Sequence, residues 1–193
     1  MTTLVPASMT AEGLTAAAQT SAIAAAQAAA TAAALVKLSG DVVQQVYASS
    51  GAVTTLASPT LIPFDDTIPQ ITEGTEILTA TITPTSASNY LEIEAVTHLS
   101  GNATSGYLLG ALFQDSTANA IAGEIITYTG AGFCMLMVIR CRILAGTTGA
   151  TTLRLRAGPG SGTTTQLTIN GSAGARLLGG VYLTSLTVTE IKA

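Results

Sequence analysis

Residues 11–37 read AEGLTAAAQTSAIAAAQAAATAAALVK, with no charge between Glu12 and Lys37 and alanine at about half of the positions. Alanine is the strongest helix former, because it loses no side-chain entropy and buries no polar group. Thr10 or Ser8 can cap the start, Glu12 suits the first turn, and Lys37 suits the last. Ser39-Gly40 supplies the stop. The stretch therefore predicts one helix over 11–38, roughly 35 Å long at about 1.5 Å per residue. From about Asp41 onward the chain turns to short runs of Thr, Val, Ile and Leu, so a single helix precedes a block of strands.

Leu14, Ala18, Ser21, Ala25, Ala28, Ala32 and Leu35 step by four and three residues in turn, which is a heptad seam with leucine at each end and small residues between. Glu12, Thr15, Gln19, Thr20, Gln27, Thr31 and Lys37 occupy a different arc that suits water, and Ile23 falls in that arc without fitting it. An alanine seam buries little apolar area unless backbones approach closely, so a lone helix of this kind is marginal. A parallel bundle of two or three copies solves that; packing on the chain's own strand domain is the alternative. A transmembrane span is disfavoured, since alanine is only weakly apolar and Gln19, Gln27 and several threonines interrupt the run. A signal peptide needs a basic leader, and no Lys or Arg precedes Lys37.

The chain has 193 residues, 48% hydrophobic but only 9% charged, against a usual charged fraction near 25%. Its surface must be built from Thr, Ser, Ala and Gly, with part of it hidden in an oligomer. The net charge is −4 and no Lys/Arg stripe exists, which argues against nucleic-acid binding. Cys134 and Cys141, read as one strand within FCMLMVIRCRIL (133–144), fall on opposite faces and cannot bridge within it. Buried free thiols, or a disulfide between chains, remain as alternatives.

Alternation of apolar and polar residues marks strands at 76–83, 90–98, 151–157, 164–169 and 181–192, each bounded by turn chemistry such as Ala157-Gly158-Pro159-Gly160 and Asn170-Gly171. YLLGALFQD (107–115) and FCMLMVIRC (133–141) are continuously apolar, as for strands covered on both faces or lying at a subunit interface. About eight to ten short strands at this spacing favour an antiparallel β-sandwich of jelly-roll kind over 76–193. Residues 39–75, with Gly51, Pro59, Pro63, Pro69 and Gly74, read as a linker holding an edge strand. Charges fall in pairs at strand spacing: Glu92 with Glu94, Arg140 with Arg142, Arg154 with Arg156. Cross-strand or cross-subunit Glu–Arg pairing explains them, and recognition of an anionic ligand is the functional alternative.

Nothing in the sequence makes an enzyme. The lone His98 ends a strand, where a structural role is the expectation, and one His with two ill-placed Cys gives no metal-ligand spacing. Asp65-Asp66 sits between Pro63 and Pro69, where turn chemistry is the simpler reading than calcium. Aromatics are 4% with no Trp, so a saccharide cleft walled by stacked rings is hard to build. AGPGSG (157–162) lacks the Lys and following helix of a phosphate loop. No catalytic residue, cofactor or metal is expected.

Several segments in order carry a resemblance: SGDVVQQVYASSGAV (39–53), IPFDDTIPQITEGTEILTATITPTSASNYLEIEAV (62–96), ALFQDSTANAIA (111–122), AGTTGATTLRLRAG (145–158) and GGVYLTSLTVTEIKA (179–193). Together they resemble the β-rich head domain of bacteriophage fibre-type virion structural proteins. The resemblance implies a homotrimer, residues 1–10 as a virion-anchoring peptide, residues 11–38 as the oligomerising helix of a three-stranded parallel bundle, and an exposed head. Three heads around one axis would then bury YLLGALF together. With few residues before the head, a short fibre or capsid decoration is implied over a long tail fibre. A receptor-binding tail fibre recognising a host cell-surface glycan or protein, and a capsid-stabilising cement protein, are the alternatives. The implied partners are further copies of the chain and other virion proteins of capsid or tail. The implied location is the virion, after synthesis in the host cytoplasm.

Overall fold

The computed structural model describes residues 16–34, 39–161 and 164–193. The chain divides into two units, Met1–Leu38 and Ser39–Ala193. In the first, an α-helix, α1, runs over Ala16–Ala34. Its expected caps at Ser8 or Thr10, Leu14 and Leu35 of the seam, and the stretch 1–10 lie outside the described residues. Of the seam, Ala18 is half-buried, Ser21, Ala25 and Ala28 are exposed, and Ala32 lies within α1. Ile23 is exposed as well.

The second unit is all β. Its strands are β1 (Val42–Ser50), β2 (Thr54–Ala57), β3 (Thr75–Ile82), β4 (Tyr90–Gly101), β5 (Gly106–Gln114), β6 (Ala122–Tyr128), β7 (Met135–Leu144), β8 (Thr151–Pro159), β9 (Gln166–Ile169), β10 (Gly171–Ser172), β11 (Ala175–Arg176) and β12 (Thr184–Ile191). All pairings between them are antiparallel. One sheet holds β1, β12, β4 and β7 in that order, with β9 and β2 continuing it beside the far end of β4; the second holds β3-β8-β5-β6. The long strands pair in nested fashion: β5 with β6, β4 with β7, β3 with β8 and β1 with β12.

Strict alternation explains the core. On β4 and β12, Leu91, Ile93 and Ala95 together with Leu186 and Val188 turn inward, and they meet Leu108, Leu112, Leu153 and Leu155 from the other sheet in one cluster. Burying each large side chain contributes about 1.5–3 kcal/mol relative to leaving it exposed. Residues 39–75, read as linker with an edge strand, hold β1 and β2, each at a sheet edge, and a segment that lies over the second sheet.

That segment corrects the expectation that YLLGALF is buried between heads. Ile62 is fully buried against Ala111 and Phe113, the outward residues of β5, with Ile71 and Ala120 beside them. Backbone bonds fix the crossing: Ile62 N to Pro159 O at 3.1 Å, Gly74 N to Leu61 O at 3.0 Å and Ile71 N to Ala118 O at 2.8 Å. The chain covers both faces of β5 itself. β7 differs too. Met137 and Ile139 face the core while Leu136, Arg140, Arg142 and Leu144 are exposed, so it is a one-sided strand. Cys134 precedes β7 and does not share the strand with Cys141; both are free thiols, and burial raises the Cys141 pKa.

Candidate functional site

The outer face of the β1-β12-β4-β7 sheet carries most of the exposed polar chemistry that the sequence singled out. Strand register lines it up in rows. Gln45 lies opposite Thr189, Thr189 opposite Glu92, and Glu92 opposite Arg142. One step along, Tyr47, Thr187, Glu94 and Arg140 form the next row. The Glu94–Arg140 pair closes at 2.5 Å and Glu92–Arg142 at 3.7 Å. Arg142 also rests on the Tyr90 ring, 4.2 Å from its centroid. These pairs are exposed, so each contributes about 0–1 kcal/mol and mainly favours register.

The two rows leave a trough of about 500 Å³ over β12. Its middle is low because β12 presents short side chains, Thr187 and Thr189, whereas the flanking strands present long ones. Gln45 Nε2 donates to Thr189 Oγ1 at 2.8 Å, and among the described residues nothing hydrogen-bonds the Thr187 side chain. Tyr47 stands 59% exposed on the edge strand with no ring partner among the described residues.

Arg154 and Arg156 sit elsewhere, on the second sheet, and their donors are already engaged. Arg154 Nε donates to Asp115 O at 2.8 Å and Nη1 to Glu76 Oε2 at 2.9 Å. Arg156 Nε and Nη2 donate to Glu73 O and Gly74 O, both at 2.8 Å. Arg156 clamps the end of the covering segment and Arg154 ties β8 to β3 and to the turn after β5, so neither faces an open site.

The remaining chemistry-bearing residues are structural in their geometry. His98 Nδ1 lies 3.1 Å from Leu183 O and its ring packs on Tyr182; burial lowers its pKa, against the opposing pull of that carbonyl. Asp65 accepts from Thr67 N at 2.9 Å and from its hydroxyl, a turn-closing arrangement that lowers the Asp65 pKa. Among the described residues no three His, Cys, Asp or Glu side chains are grouped to hold a metal ion. No described helix is long and apolar enough to cross a membrane.

The sequence reading passed over Glu190. It is fully buried. Its Oε1 accepts from Thr85 N and Thr85 Oγ1 at 2.8 Å each, Asn89 Nδ2 at 2.6 Å and Ser86 N at 3.3 Å. Its Oε2 accepts from Gln44 Nε2 at 2.6 Å. Burial pushes the pKa up, but the bonds from Gln44, Asn89 and Thr85 outweigh it and hold the carboxyl at about 2. The group ties β1 and β12 to the connection between β3 and β4. Alternation gave the signal: Glu190 shares the inward parity of Leu186 and Val188.

No protein-family model matches this chain, and no curated protein matches it. Among solved structures, a chain from "Structure of infectious bursal disease virus Gx strain" is similar over 74% of this chain and 37% of its own length, at 17% identity and a TM-score of 0.29.

Proposed function

We propose that this chain is a non-enzymatic structural protein of a bacteriophage particle, a homotrimeric short fibre or capsid decoration held by its N-terminal segment with the β head exposed. The observation that carries this reading is the nested strand order. Two sheets ordered β1-β12-β4-β7 and β3-β8-β5-β6 follow from rolling up one long antiparallel hairpin whose tip is β5–β6. That order supports the jelly-roll reading, an architecture found in viral capsid and lectin domains. The fold analogy supports a class of role, and the site chemistry agrees with it, because His98, Asp65, Glu190, Arg154 and Arg156 are all engaged in holding the fold. The helix supports self-association: 19 residues of mostly alanine, exposed at Ser21, Ala25 and Ala28, gain most when like helices cover them.

Light scattering on the full chain should give the mass of three copies; a monomer overturns the reading. Ala25→Glu or Ala28→Glu, which place charge in the seam, should shift the chain toward monomer, whereas Thr20→Glu should leave the mass unchanged. Equal behaviour of seam and polar-arc variants would show that the helix associates by another face. Imaging of particles with the chain labelled locates it on capsid or tail, and its absence from purified particles would overturn the virion assignment.

A further inference from the structure

We propose that the heads dock on one another, with the exposed loop around Leu178 of one copy seated in a groove beside β6 of the next. That the partner is a second copy rests on the self-assembly proposed above. The loop joins β11 to β12 and carries the two most exposed large apolar side chains among the described residues, Leu178 at 71% and Val181 at 77%. Its shape is held. Gly180 N donates to Leu177 O at 3.3 Å, Val181 N donates to Leu178 O at 3.2 Å, and Tyr182 packs on His98 at its base. Leu178 takes a φ of 48°, a conformation that leucine rarely adopts, so the fold keeps an apolar side chain outward against its backbone preference. Arg176 stands exposed at the foot of the loop with its guanidinium beside Gly180. Among the described residues it is the one arginine outside the ion pairs.

The groove has the matching chemistry. It lies on the second sheet, between the covering segment and the β5–β6 hairpin, with a volume of about 310 Å³. Pro63, Phe64, Leu109 and Ile125 give it apolar walls, and Asp65 and Glu124 add two carboxylates. Phe64 and Ile125 are exposed, and the Phe64 ring is fixed by stacking on Tyr107 with 4.0 Å between centroids, so that wall is formed before a partner arrives. Neither carboxylate is ion-paired among the described residues. Loop and groove therefore complement each other twice, apolar against apolar and Arg176 against two acids. Within one chain Leu178 and Val181 stay exposed, so the loop does not fill the groove of its own copy. Because loop and groove are different surfaces, the contact can run head to tail, as a closed ring of three copies requires.

Cross-linking of the full chain tests the contact. With Leu178 replaced by the photo-reactive residue benzoylphenylalanine, irradiation should join separate chains, and mass spectrometry should map the bond to residues 63–69 or 123–125 of the second chain. Light scattering over a dilution series reads the strength. Leu178→Asp should move the assembly midpoint to about tenfold higher concentration or more. Arg176→Glu and Glu124→Arg should each weaken assembly, and the two together should recover most of the loss, because the charges are then exchanged. Thr148→Glu, in the loop between β7 and β8, should leave the midpoint where it is. A trimer in which residue 178 joins no second chain, or joins one elsewhere, overturns the docking contact and leaves the trimer standing. A monomer at every concentration overturns both. An unmoved midpoint in Leu178→Asp, or a double charge variant no better than its weaker single, also overturns the contact.

Discussion

Glu190→Gln should destabilise the head by about 2–4 kcal/mol, because an amide nitrogen would then face donors that now point at carboxylate oxygen. In a chain of this size that lowers the melting temperature by roughly 5–15 °C. The five donors on Glu190 come from three separate segments, residues 44, 85–86 and 89, so the loss is felt where β1, β12 and the β3–β4 connection meet. The pH dependence has a definite sign. The folded carboxyl titrates at about 2 and an ordinary one at 4.5, so the unfolded chain takes up the proton first. The stabilisation is complete above about pH 4.5 and is lost as pH falls toward 2. It amounts to at most about 3 kcal/mol. Urea unfolding of wild type and variant across pH 2–7 measures it: the gap between them should narrow on acidification. A constant gap would show that the carboxylate's charge is not what the network stabilises.

Gly158→Ala is the second large effect. A Cβ built there would sit 2.4 Å from Thr60 O and 3.2 Å from both Gly74 Cα and Ile62 N. All three are backbone atoms, so no side-chain rotation relieves the contact. Only glycine lets the 59–74 segment cross β8 at this height. The methyl group must lift that segment off Ala111 and Phe113, at about 1–3 kcal/mol for the strain, with loss of the buried contacts of Ile62 in addition. Hydrogen exchange at the Ile62 and Gly74 amides should speed up well before that of β4 or β12. Destabilisation spread evenly over the strands would refute this account of the glycine.

Much of the head was legible because its strands are half-buried. Alternation located β3, β4, β8, β9 and β12 to within a few residues, since each has one core face and one wet face. Where that condition fails, the reading failed. β5 is covered on both faces, and its apolar run did not say whether the cover was a partner chain or residues 59–74 of the same chain. The prolines of that cover suggested a linker, although a segment can lie flat on a sheet and bury Ile62 without pairing into it. The acid–base pairs at 92, 94, 140 and 142 could be named from spacing, but their assignment needed the β4–β7 register. Glu76, the partner of Arg154 and Arg156, was not singled out, and neither was Glu190. A charge on the inward parity of a strand is the signal that deserved a search for donors.

Nested pairing also sets an order of events in time. β5 and β6 are joined by a short loop and can meet early, whereas Val46 of β1 waits for Val188 of β12, near the far end of the chain. Contacts so distant in sequence are slow to form, because loop closure must precede any gain from pairing. During synthesis the long β1 edge therefore stands open until β12 leaves the ribosome. Its exposed Gln45 and Tyr47 and its row of unpaired amides make it a template for strands of neighbouring nascent chains. Yield of soluble protein should thus depend more on how fast translation carries the chain from β1 to β12 than on the final stability of the head.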